Sequence, residues 1–128
     1  MKLHFEYDRR YLPSAPVIPI TIDGYSTDAD PITVQALIDS GADGTMLPSR
    51  ILRRIGASFV DSVHMSGVSG ISQSIDQFLV RITIGDTVIG GIEALSVSNQ
   101  MEAIIGRDVL NQLVVVLDGL ASEITISD

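Results

Sequence analysis

Along this chain, aliphatic and β-branched residues recur at every other position in several short runs, and Gly, Pro, Asp and Ser fill the gaps between them. A period of two sends alternate side chains to opposite faces of a pleated backbone, so these runs predict half-buried strands joined by turns. Val17 to Ile22 reads as one strand, and Pro19 inside it points to an edge position or a bulge, because proline has no N–H to give a ladder. A polar loop runs from Asp23 to Pro31. Ile32 to Ile38 then forms a second strand whose last residues, Ala36-Leu37-Ile38, are continuously apolar and are expected to be covered on both faces. It stops at Asp39-Ser40-Gly41.

Helical spacing appears after Pro48, a residue suited to a helix start. Ile51, Leu52 and Ile55 share a face opposite Arg50, Arg53 and Arg54 before Gly56 ends the turn. Arginines so spaced read as a solvated face rather than a binding patch. Phe78 to Ile84 and the run from Val88 flank Gly85-Asp86, a pair suited to a tight hairpin in which glycine supplies positive φ. Leu113 to Leu117 and Glu123 to Ser127 flank Asp118-Gly119 in the same way, and Arg107 to Gln112 suits one or two helical turns. No linker, repeat or low-complexity tract interrupts the pattern, so residues 1–128 are expected to form a single, mostly β domain.

Composition narrows the chemistry. A chain of 128 residues buries about two-thirds of its unfolded surface and needs no disulfide or structural metal to hold a core. The absence of cysteine removes thiol catalysis and cysteine-ligated zinc, and His4 and His64 each lack a second histidine at ligand spacing, so no metal or other cofactor is expected. With 8 Lys and Arg against 16 Asp and Glu, the net charge of -8 opposes binding to a phosphate backbone, and no nucleic-acid partner is expected. The first residues lack the apolar centre of a signal peptide, and no run reaches the roughly 18 apolar residues of a membrane helix. The expectation is a cytoplasmic chain, or an excised domain, with no membrane partner. Asp28-Ala29-Asp30 lacks the glycine and glutamate of an EF-hand loop, and Ile71 stands where a serine-hydrolase elbow would need its last glycine after Gly67-Val68-Ser69-Gly70. The lone His64 is assigned no role.

The informative segment is Ala36-Leu37-Ile38-Asp39-Ser40-Gly41-Ala42-Asp43, an aspartate delivered by a buried strand into a turn. Alone, Asp-Ser-Gly is a common turn, since a short acidic side chain bonds the following backbone and glycine relieves strain. Two further segments give it context. Met65-Ser66-Gly67-Val68-Ser69-Gly70-Ile71-Ser72 is punctuated by glycine as a hairpin tip is, and Ala103-Ile104-Ile105-Gly106-Arg107-Asp108-Val109-Leu110 is an apolar strand ending in Gly-Arg at the mouth of a helix. In this order and spacing the chain resembles the retropepsins, the single-lobe aspartic proteases of retroviruses and their bacterial relatives, from about Val17 to Ile126. Gly106 to Asn111 and Leu117-Asp118-Gly119 match the bacterial members.

The resemblance implies an all-β retropepsin-like acid protease fold: a closed β-barrel lobe with a flap hairpin and one or two short helices, active as a homodimer on polypeptide substrates. It makes Asp39 the catalytic carboxylate and Ser40, Gly41 and Ala42 the active-site loop. Asp43 and Arg107 become a structural, bidentate ion pair. Gly67, Val68, Ser69, Gly70 and Ile71 become a flap that binds substrate together with Ile105. Ala42, Val68, Ile71 and Ile105 would then line a cleft for extended, largely apolar segments.

Peptide hydrolysis of this kind needs one carboxylate to take a proton from water and another to donate one to the carbonyl oxygen. The sequence holds one Asp-[Ser/Thr]-Gly, since Asp23-Gly24, Asp86-Thr87-Val88 and Asp118-Gly119 each miss a member. The pair must therefore come from two copies related by a two-fold axis. Two carboxylates so close cannot both ionise cheaply, an effect for which aspartic proteases are the standard example, and they titrate as a unit sharing one proton. The competing reading keeps the fold without turnover, as a dimerisation or peptide-binding module that grips extended segments by strand addition. The intact Asp39-Ser40-Gly41-Ala42 favours the enzyme. The resemblance also implies that the Ser40 hydroxyl bonds across the dimer axis without the methyl packing a threonine would add. Ser40→Thr is thus expected to tighten the dimer by sedimentation equilibrium, and a tighter wild type would contradict this.

Overall fold

The computed structural model describes residues 1–66 and 70–128. In chain order its elements are β1 (Lys2–Glu6), β2 (Val17–Asp23), β3 (Ile32–Ile38), β4 (Met46–Pro48), α1 (Ser49–Arg54), β5 (Ser58–Ser66), β6 (Ser72–Ile84), β7 (Thr87–Val97), β8 (Ala103–Ile105), α2 (Arg107–Leu110), β9 (Val114–Asp118) and β10 (Glu123–Ser127). Strands β2-β3-β8-β4-β7-β6 follow one another around a ring that closes where β6 pairs with β2, and β5 extends outward from β6. Most pairings are antiparallel, but β3–β8 and β4–β7 are parallel. A separate three-stranded sheet, ordered β1-β10-β9, covers one side.

Isoleucine dominates the interior. Ile18, Ile20 and Ile22 of β2, Ile82 and Ile84 of β6, Ile105 of β8 and Ile124 and Ile126 of β10 are all fully buried in one cluster, with Leu3 and Phe5 of β1 packed against it. Branching at Cβ suits a pleated surface and fixes χ1. Pro19 lies opposite Gln35 of β3, while β6 covers β2 only from Thr21 to Asp23, so the proline sits where its strand has one neighbour. Ala36 and Ile38 are buried between β2 and β8, but Leu37 between them is only half-buried, so the apolar run is fully covered on one face and not on both.

Helix α1 buries Ile51 and Leu52 and leaves Arg50, Arg53 and Arg54 outside. Pro48 has no side chain to cap it; instead the Asn99 Oδ1 accepts the Arg50 N–H at 2.7 Å and the Ser49 hydroxyl at 3.0 Å. Gly85 makes the β6–β7 hairpin with φ 59°, and a Cβ there would lie 2.7 Å from a Leu3 methyl, so both conformation and space require glycine.

The second hairpin departs from its reading. Asp118 pairs directly with Glu123, leaving Gly119 to Ser122 as the loop, and Ser122, not Gly119, takes positive φ (56°). The Asp118 carboxylate holds this wider loop by accepting the Ala121 N–H at 2.9 Å. Strand β6 also begins at Ser72, earlier than Phe78, because its exposed half pairs with β5. Among the described residues no helix is long and apolar enough to cross a membrane.

At the β2–β6 seam, Asp23 accepts a hydrogen bond from the Arg81 guanidinium at 2.9 Å and from the Tyr25 N–H at 2.5 Å, and Arg81 lies 4.9 Å from the Tyr25 ring centre. Arg81 foremost, then the Tyr25 amide, holds the Asp23 carboxyl below its usual range. A folded-state value below the unfolded one contributes stability above the ordinary carboxylate range that is lost as pH falls through the folded value. Asp23→Asn is expected to cost about 1 kcal/mol or less at neutral pH, given how exposed the pair is. Urea unfolding should show that deficit shrinking as pH is lowered through the acidic range; a constant deficit would contradict the assignment.

Candidate active site

The last rung between β3 and β8 is the Asp39 N–H to the Ile105 carbonyl, at 3.0 Å. Beyond it the chain turns sharply. The Asp39 Oδ1 accepts the Gly41 N–H at 2.9 Å, and the Asp39 carbonyl accepts the Ala42 N–H at 3.2 Å. The carboxylate is half-buried, while Ser40 and Gly41 are exposed. A short acid emerging from a buried strand is thus oriented by its own turn, with its remaining oxygen free of protein donors among the described contacts.

Arg107, the first residue of α2, spans this turn. Its main-chain N–H donates to the Ala42 carbonyl at 2.9 Å, one Nη donates to the Ser40 carbonyl at 2.8 Å, and the other meets the Asp43 carboxylate. The guanidinium therefore divides its fork between a carbonyl and a carboxylate instead of gripping Asp43 with both arms. Asp43 is almost fully exposed, so the charge pair adds little energy. Its effect is positional, since three contacts from one residue fix the loop.

A buried network beneath the loop was not singled out by the sequence reading. Thr45, fully buried, donates its N–H to one oxygen of Asp108 at 3.0 Å and its hydroxyl to the other at 2.8 Å; the same hydroxyl accepts the Gly106 N–H at 3.2 Å. Asp108 lies within the Gly-Arg-Asp segment, and a threonine six residues past the aspartate of the turn was the only other signal. At Gly106 a Cβ would fall 2.6 Å from the Gly44 carbonyl carbon and oxygen, so only glycine lets β8 and the loop approach this closely.

A cavity of about 530 Å³ opens beside the turn, bounded by Asp43 and Gly44 of the loop, Val63 and Met65 of β5, and Glu93 and Leu95 of β7. Its wall mixes apolar side chains with carboxylates. Of the residues expected to line a cleft, Ile105 is fully buried in the barrel core, and it serves the turn through its carbonyl rather than its side chain. The reason is its place on β8, whose Ala103 and Ile105 belong to the core while the alternate residue Ile104 is half-buried. Ala42 is half-buried in the loop, Gly70 takes φ 77° with open space around it, and Ile71 is exposed near the end of the β5–β6 hairpin. Gly67, Val68 and Ser69 lie outside the described residues. His64 is exposed on β5, and among the described residues no three His, Asp or Glu side chains gather as a metal site.

The Thr45 network makes a measurable claim. Thr45→Val strands the buried Gly106 N–H and is expected to cost about 1–3 kcal/mol. Asp108→Ala strands the Thr45 donors and should cost a similar amount. Because both remove one network, chemical denaturation of the double variant should show much less than the summed loss, and strict additivity would refute the coupling.

Against known proteins, the fold is similar to a retropepsin-like aspartic protease from Rickettsia conorii, with a TM-score of 0.65 and 11% identity over 98% of this chain and 90% of that one. It is also similar to the retroviral protease-like domain of Ddi1 from Leishmania major, with a TM-score of 0.52 and 21% identity over 83% of this chain and 82% of that one. At such identities these likenesses establish an all-β, retropepsin-like fold. No curated protein sequence gives a significant match. Residues 27–112, which carry the Asp39 turn, the β5–β6 hairpin and the Gly106-Arg107-Asp108 segment, match the family described as gag-polyprotein putative aspartyl protease, and the chain belongs to that family.

Proposed function

We propose that this chain is an aspartic endopeptidase in which Asp39 acts with Asp39 of a second copy across a two-fold axis, the 128 residues forming one protease domain. The observation that carries the reading is the Asp39 turn itself. Its carboxylate is fixed by the Gly41 N–H at the end of a buried strand, its loop is braced by Arg107, and it stays half-open to solvent. One carboxylate of the pair takes a proton from water as the oxygen attacks the scissile carbonyl; the other, protonated, donates to the carbonyl oxygen. Gly41 orients the base, and Ser40 and Ala42 hold the loop. The β5–β6 hairpin would close over an extended polypeptide. No metal or organic cofactor enters this reaction.

Family membership supports the chemistry, and the intact Asp39-Ser40-Gly41-Ala42 supports turnover over a purely binding role. Asp39→Asn is expected to lower cleavage of a peptide library by roughly 10²–10⁴-fold while leaving self-association and thermal stability near wild type. The wild-type rate should follow an acid-shifted bell against pH. Persistent cleavage by the variant would remove the assignment. A wild-type dimer that cleaves nothing at any pH would make the chain a binding module.

A further inference from the structure

We infer that this chain selects a basic side chain in its substrate: a lysine or arginine of the polypeptide enters the cavity bounded by Asp43 and Glu93, and Glu93 determines that choice. This rests on the endopeptidase reading and adds a substrate class to it. The largely apolar cleft implied by family resemblance does not provide that preference; it comes from side chains of this chain.

At about 530 Å³ the cavity falls within the range of roughly 300–1,000 Å³ usual for ligand pockets. Asp39 does not line it, but Asp43 and Gly44 of the same loop do, and Arg107 ties the Ser40 carbonyl and Asp43 into one unit. Four residues span at most about 14 Å, whether they belong to this loop or to an extended substrate. A polypeptide lying over Asp39 thus has side chains within reach of the opening. Room is left where β7 bulges. Val80 pairs with Ile92 and Ile82 with Ile89, so Gly90 and Gly91 oppose the single residue Arg81, and nothing lies within 4 Å of a Cβ built at Gly91.

The lining suits a long side chain with a cationic end. Val63, Met65 and Leu95 supply apolar surface, and the Met65 thioether adapts to what it meets. The charge around them is negative: Asp43, Glu93 and Asp108 line the cavity, and no Lys or Arg does. Two of these carboxylates are already engaged, Asp43 by Arg107 and Asp108 by the Thr45 N–H and hydroxyl. Glu93 is exposed and has no hydrogen-bond or ion-pair partner among the described residues. It stands two residues before Leu95 on β7, so both side chains leave the same face of the strand. A lysine or arginine can lay its methylenes along the apolar surface and bring its charge to Glu93. When the polypeptide covers the cavity, water leaves the Glu93 carboxylate. A cation replaces that water, whereas an apolar side chain leaves Glu93 unpaired and an acidic one opposes it.

The test uses the full chain and matched peptides. Cut sites in a peptide library are expected to show Lys or Arg enriched at one position within about four residues of the cut bond. At that position Lys should exceed its uncharged counterpart norleucine roughly fivefold or more in kcat/KM, through KM rather than kcat, and the margin should shrink in high salt. Glu93→Gln should abolish the margin and Glu93→Lys should turn it in favour of Glu. Asp86→Asn, which removes the same charge at the β6–β7 turn, should leave it intact. Asp39-dependent cleavage with no basic preference, or a preference that survives Glu93→Gln, overturns the inference and leaves the endopeptidase reading standing. A wild type that cleaves nothing removes that reading instead, and fluorescence anisotropy with the same peptides then decides the cavity's role. Tighter binding of the Lys peptide, lost in Glu93→Gln, upholds it; equal binding of the Lys and norleucine peptides overturns it.

Discussion

At Gly44 and Gly106 two backbone segments come so near that one added methyl group would sit 2.6 Å from the facing carbonyl. Much of the site's geometry follows from that approach. It brings α2 under the loop, so that the Arg107 N–H reaches the Ala42 carbonyl and its side chain reaches Ser40 and Asp43. It also encloses Thr45, whose hydroxyl and amide are then satisfied by Asp108 and Gly106. Buried polar groups are costly unless every member is paired, and no buried side-chain polar atom among those described lacks a partner. Any other course of the loop would break several such bonds at once.

The charged contact is the less important support. Asp43 and Arg107 are the pair that family resemblance highlights, yet Asp43 stands almost wholly in solvent. What Arg107 contributes most securely is a donor to the Ser40 carbonyl, a neutral acceptor inside the turn. The Asp39 turn and its bracing thus come from different parts of the chain: Asp39 from a strand end, Arg107 from a helix start some distance on in sequence, and β8 as the rung between them.

Local patterns were legible where a segment's neighbours matter little. Ile32–Ile38, the α1 face, the Gly85 turn and the short α2 all follow from periodicity and turn chemistry. The readings fell short where a distant partner decides. Strand β1 alternates Leu3 and Phe5 with Lys2, His4 and Glu6, but it becomes a strand by pairing with β10 at the far end of the chain. The three-residue β4 exists because β7 and β8 flank it. Asp118-Gly119 looks like a two-residue hairpin, and only the Asp118–Glu123 register shows a longer loop. In the site, the Asp39 turn was readable from its tripeptide and its strand. Thr45 was not, because a buried threonine and a surface one look alike until the carboxylate above it is known. Ile105 was placed toward a cleft for the same reason: an apolar residue beside a functional turn can face either the core or the opening.

The β5–β6 hairpin is rooted unequally. Near its base Phe78 packs on the core and meets Phe59 edge-on, and further along β6 Val80, Ile82 and Ile84 are sealed inside the barrel. Outward of Phe59 and Phe78, nearly every described side chain faces water, from Asp61 to Ser66 on one arm and Ser72 to Asp76 on the other. Opening of that outer arm breaks ladder bonds but exposes almost no interior surface, so its free energy is separate from that of global unfolding. Amide protons there are expected to exchange through local excursions while those of Val80 to Ile84 wait for the whole barrel to come apart, so the arm can open without loosening the scaffold that holds Asp39.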